Sequence, residues 1–167
     1  SLSRLHRLVQ DRSLILSKDL LLVETMLKHR AEKATALLTE QTQEARALYW
    51  AEPGTHGTGP AGASPDERYP AAHRKLDTTN MSVSFEKPAF WAAPDLERDG
   101  LAPDAARLAG LAPELVELAN LMPELVLWQT VLLDPGLAMV FPGHGLFPLR
   151  WDPRGKNWVN RALASDG

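Results

Sequence analysis

The chain has no cysteine among its 167 residues, which excludes disulfides and thiolate metal sites. It has no surplus of one charge either. Its 18 basic and 21 acidic residues leave a net charge of -3 and form no basic stripe, so no nucleic-acid surface is expected. No run approaches the roughly 20 apolar residues of a membrane span, and no charged-then-apolar leader follows Ser1. The first residue is not Met, and the expectation is of a segment whose targeting sequence lies upstream. Catalytic signatures are missing as well. There is no Gly-rich phosphate loop, no His-Glu-x-x-His, no nucleophile elbow and no carboxylate pair on one helical face. His56 stands without a second ligand nearby. The sequence therefore predicts no enzyme, no cofactor and no metal. What is present is 44% hydrophobic residues, enough to give one domain a real core.

Glycine and proline are absent from Leu2 to Tyr49, where Leu2, Leu5, Val9, Leu16, Leu20, Val23, Leu27, Ala31, Ala34 and Leu38 keep a three-or-four spacing. This predicts one long N-terminal helix over 1–50. At 1.5 Å per residue it would reach about 60–70 Å, more than a compact domain of this size needs, so part of it should project or pair. Leu14, Ile15, Leu21, Leu22 and Met26 widen the apolar stripe, which points to burial on two sides and a homodimer formed through this helix, the alternative being an ordinary packing helix in a bundle.

Residues 51–80 read as a loop and connector, because Ala51–Pro70 is rich in Gly, Pro and small polar residues. Residues 81–167 read as an α+β domain. Met81, Val83 and Phe85 alternate with Ser82, Ser84 and Glu86 as in a strand, and Pro88 breaks the ladder before Ala89–Ala93. Residues 101–123 predict one or two short helices, with Pro103 and Pro113 in first turns and Gly110 and Pro123 at ends. Two apolar runs around Asp134-Pro135-Gly136 predict a hairpin.

The last stretch runs Phe141-Pro142-Gly143-His144-Gly145, Pro148, Asp152-Pro153-Arg154-Gly155-Lys156-Asn157-Trp158 and Ala162. Following a hairpin and a long helix, it resembles the Cache family, the PAS-like sensor domains of bacterial transmembrane receptors. The resemblance covers the helix loosely and residues 81–164 in order. It implies a long helix followed by a PAS-like antiparallel sheet with short flanking helices; the family's C-terminal strands have no counterpart in this sequence, which reads either as a truncated domain or as a degenerate sensor unit. It implies an extracytoplasmic, periplasmic location in a protein of the inner membrane, tethered through segments outside this chain. A small polar or anionic ligand would be bound, and any catalytic output would sit in another domain. Amino-acid-binding members carry Arg-x-Trp-Tyr, where this chain has Lys156, Trp158 and Val159. Lysine is a point charge where arginine is a fork, so bidentate carboxylate recognition is weakened.

From their chemistry, Lys156 and Trp158 are the leading ligand candidates, a cation beside an indole. Arg154, Trp128 and His144 complete the candidate site. Each also has a structural reading. Gly143 and Gly145 would allow positive φ in a tight turn holding a partly exposed His144. Asp152 would cap the next turn, and Arg154 would bond back to the hairpin carbonyls. Trp128, Trp151, Phe90 and Trp91 are core or pocket wall. A ligand-free dimerisation module is the competing function.

Overall fold

The computed structural model describes residues 21–22, 24–26, 28–38, 47–52, 59–70, 80–157 and 159–161. The chain divides into two units, Ser1–Thr39 and Glu40–Gly167. In the first, the described residues up to 38 are helical and form α1. The remainder of the expected N-terminal helix, 1–20 and 39–46, lies outside the described residues. Its expected end is corrected, because residues 47–49 are not helical. Trp50 instead makes a parallel bridge to Phe90, with Phe90 N donating to Tyr49 O and Ala51 N to Phe90 O, both at 2.9 Å. A stretch without Gly or Pro permits a helix but does not require one. Here Tyr-Trp-Ala gains more by burying Ala51 beside Trp91 and Val140. No helix among the described residues is long and apolar enough to cross a membrane.

The second unit is α+β, with two three-stranded antiparallel sheets. One contains β1 (Ser64–Pro70), β2 (Asn80–Ser84) and the short β6 (Gly143–His144), in the order β1-β2-β6. The other contains β3 (Ala89–Ala92), β4 (Gln129–Leu133) and β5 (Leu137–Phe141), in the order β3-β5-β4. The alternation at Met81 and Val83 forms β2 as expected, and Pro88 falls where the chain leaves the first sheet for the second.

β5 is buried along its whole length, which explains its unbroken apolar run Leu-Ala-Met-Val-Phe. Ala138 and Val140 join Trp91 and Phe147 in one core cluster, with Leu132, Tyr49 and Trp151 against it. β5 and β3 also pack against α2 (Arg98–Leu108). After α2 come a 3-10 turn, Ala109–Leu111, and α3 (Ala112–Leu121). Pro113 lies in the first turn of α3, Gly110 between the helices and Pro123 beyond the end, as the sequence predicts. Pro103 is a correction. It lies inside α2, because the helix starts at Arg98, earlier than a first-turn proline implies. The proline is exposed, and its missing N–H leaves only the Asp99 carbonyl without its helical donor, at a residue open to water.

Two loop expectations are overturned. Residues 64–70 form β1 despite two prolines, since an edge strand bonds on one side only. The register jumps between Pro65↔Ser82 and Pro70↔Asn80, so the chain bulges between them. The buried Tyr69 anchors this strand, its hydroxyl donating to Leu127 O at 2.7 Å. The Pro-Gly-His-Gly segment is the second case. It is not a turn, since Gly143 and His144 pair with Ser84 and Val83. Gly143 is not needed for positive φ. A Cβ there would lie 2.2 Å from Lys87 O and 2.9 Å from Pro88 C, so the glycine admits a neighbouring backbone. Positive φ is instead required at Gly136, φ 141°, in the hairpin turn joining β4 to β5.

Candidate ligand site

His144 sits at the junction of the two sheets. It is buried, not partly exposed as two flanking glycines suggest. Its ring stacks on Phe147 at 4.4 Å with 13° between planes, and Trp128 meets it edge-on at 5.0 Å. Phe147 then stacks on Trp91 of β3 at 4.8 Å, and both contact Trp151. The Trp91 Nε1–H donates to Trp151 O at 2.9 Å, which ties the C-terminal stretch to the second sheet.

In the other direction Trp128 meets Tyr69 at 4.7 Å, Tyr69 meets Phe85 at 5.9 Å, and the Arg68 guanidinium lies 4.9 Å from the Phe85 centroid. The result is one run of aromatic contacts spanning both sheets. Edge-to-face and stacked pairs at these separations add about 0.5–1.5 kcal/mol each beyond area burial. Trp128, 44% exposed, is where this run reaches solvent. Arg68 is held by Asp66 through Nε and Nη2 at 3.0 and 2.9 Å, which lowers the Asp66 carboxyl below its ordinary pKa.

Arg154 belongs to a second group. Its Nε donates to Asp152 Oδ1 at 3.0 Å, and its Nη2 to Asp152 Oδ2 at 2.7 Å and Asp95 Oδ1 at 2.6 Å. Nη1 reaches Asp95 Oδ2 at 3.2 Å and Pro135 O at 3.1 Å. A guanidinium has five N–H groups, and these contacts engage all of them. Arg154 thus fastens the 152–156 turn to the hairpin and to Asp95, and it retains no donor for a ligand carboxylate. Its hydrogen bonds hold the carboxyls of Asp95 and Asp152 below their ordinary pKa, and theirs raise its own. Asp152 Oδ1 also accepts from Arg154 N at 3.0 Å, the turn-capping bond its place before Pro153 predicts.

Lys156 is half-buried and near enough to Asp152 to help lower that carboxyl. Its carbonyl accepts from Val159 N and Asn160 N at 3.0 and 3.3 Å as a short helix begins. Trp158, its expected partner, lies outside the described residues. Val159 is buried. The structure therefore brings Trp128 and His144 together, and separately Arg154 and Lys156 around Asp152. Trp151, adjacent to Asp152 in the chain, is the link between the two groups.

Sequence reasoning missed Tyr69 and Phe147. Tyr69 hid in a Pro-rich segment without periodicity. Phe147 stands alone between short strands, and only its contacts to both sheets reveal it. The described residues include no group of three or more His, Asp or Glu that could hold a metal. The first group joins a partly exposed indole, Trp128, to a buried imidazole, His144. No protein-family profile matches this sequence, and no curated protein does either.

Proposed function

We propose that this chain is the ligand-sensing part of an extracytoplasmic receptor of a bacterial inner membrane, binding a small polar or anionic molecule without chemistry of its own. The observation that supports this is the aromatic run that opens to solvent at Trp128 and passes through His144 and Phe147 to Trp91. A molecule seated on Trp128 would find apolar area and an indole N–H, and its contact would bear on strands of both sheets. Lys156 adds positive charge near the Asp-Pro-Arg turn, in keeping with the Cache-like order of the last residues. The signal is a population shift. A ligand that binds one arrangement of the sheets more tightly favours it, and the N-terminal helix, paired with that of a second copy, carries the change onward. The exposed Leu21 and Leu22 suit such a helix pair.

A thermal-shift screen of organic acids, amines and amino acids tests the reading. A ligand at 100 times its Kd stabilises the native state by about 2.7 kcal/mol. Trp128→Ala should abolish the shift, and Lys156→Ala should weaken an anionic ligand by about 1–3 kcal/mol. If no compound moves the melting temperature, the sensor reading fails. A ligand-free dimerisation module then takes its place, a reading favoured by the complete engagement of Arg154 within its own chain.

A further inference from the structure

Residues 47–52 lie along the edge of β3 as a strap rather than a strand. Trp50 forms a parallel bridge to Phe90, closed by Phe90 N donating to Tyr49 O and Ala51 N donating to Phe90 O. Ala51 is buried, while Tyr49 and Trp50 are half-buried. Arg98 holds the strap from outside. Its Nη2 donates to Ala51 O at 3.0 Å and its Nη1 to Glu52 Oε1 at 3.4 Å, and the guanidinium carbon lies 5.9 Å from the Trp50 ring centroid. Arg98 opens α2, where a cation opposes the helix dipole, so its contacts serve the strap and not the helix. The clasp is weak all the same, because the Arg98 and Glu52 side chains are 37% and 61% exposed and water screens their attraction. A single bridge, a small buried side chain and an exposed clasp make an attachment that opens well below global unfolding.

On its inner side the strap meets the end of the aromatic run. Ala51 belongs to the core cluster that contains Phe147 and Trp91. Phe147 stacks on His144, and His144 meets the partly exposed Trp128. Packed side chains therefore connect Trp128 to the strap without a gap.

We propose that residues 47–52 are a switch, seated on β3 in one state and detached in the other, with Arg98 as its clasp and the run from Trp128 to Phe147 setting the balance. In sequence the strap follows α1, so its release alters the end of the unit that leads to that helix. The inference rests on the ligand-sensing reading for what drives the switch, and it names the element that a molecule seated on Trp128 would bias. The two states exist without a ligand, so the test needs none.

Native-state hydrogen exchange on the full chain reads the Ala51 and Phe90 amides, both bonded across this edge, with the β5 amides as the reference for global opening. The strap amides should exchange faster than those of β5. Arg98→Ala should accelerate both roughly tenfold and leave β5 as in the parent. Trp128→Ala removes a ring whose aromatic partners are Tyr69 and His144, yet it should accelerate the strap amides relative to β5 by roughly threefold or more. Strap amides that exchange only together with β5 overturn the proposal, and so do strap rates indifferent to Arg98 or to Trp128. A ligand screen without a hit removes the sensor reading and leaves these rates as they are, so the two failures are told apart.

Discussion

Arg154 is charged at every accessible pH, so acid acts on its partners. Asp95 and Asp152 are held below the ordinary aspartate value by its hydrogen bonds. A carboxylate with a depressed folded pKa contributes its stability above the unfolded value, near pH 4. That contribution is lost as the pH falls through the lower folded value. Arg154→Gln should therefore raise both carboxyl titrations toward ordinary aspartate, as read by carbon NMR. Unchanged titrations would mean the fork is not what holds them. Gly143 is a second residue whose role is local and steric. Gly143→Ala drives a methyl into the backbone of Lys87 and Pro88 and should cost about 3 kcal/mol or more in denaturant unfolding. Gly155→Ala, which meets nothing within 4 Å, should stay within about 0.5 kcal/mol of the parent.

At the scale of elements, α2 accommodates a proline that a helix interior disfavours. Pro103→Ala supplies the missing N–H to the Asp99 carbonyl at an exposed position. Against it stands the greater freedom of the unfolded chain, so the net gain should be about 1–2 kcal/mol in urea unfolding. A loss would show that the proline ring packs where its exposure says it does not. The same helix shows what a sequence conveys and what it withholds. The β4–β5 hairpin was legible because Asp134-Pro135-Gly136 separates two apolar runs, a signal contained in ten or so neighbouring residues. The break at Gly110 and the start at Pro113 were equally local. β1 was not legible, because its strand character comes from Tyr69 reaching Leu127 and from β2 alongside, which outweigh prolines that locally favour a loop. β6 is too short to carry a period. Of the candidate site, the capping of Arg154 N by Asp152 lay within the tripeptide Asp-Pro-Arg, whereas the burial of His144 depends on Phe147 and on Trp128, sixteen residues upstream and on the far side of the hairpin.

At the scale of the whole molecule, Phe147 touches both sheets, stacking on His144 of the first and Trp91 of the second. Phe147→Ala should cost about 3–5 kcal/mol, and native-state hydrogen exchange should accelerate in β2 and β5 together. Acceleration in one sheet alone would mean that they open independently. The neighbouring contact between Trp91 and Trp151, 5.8 Å between centroids and 76° between planes, has an optical side. Two indoles so close and so steeply inclined mix their electronic transitions. The folded protein should then show a split near-ultraviolet circular dichroism band that neither ring produces alone. Trp91→Phe or Trp151→Phe should each erase the splitting completely rather than by half, because a couplet needs both partners. Its intensity would follow, without any added dye, whether the C-terminal stretch is seated on the second sheet.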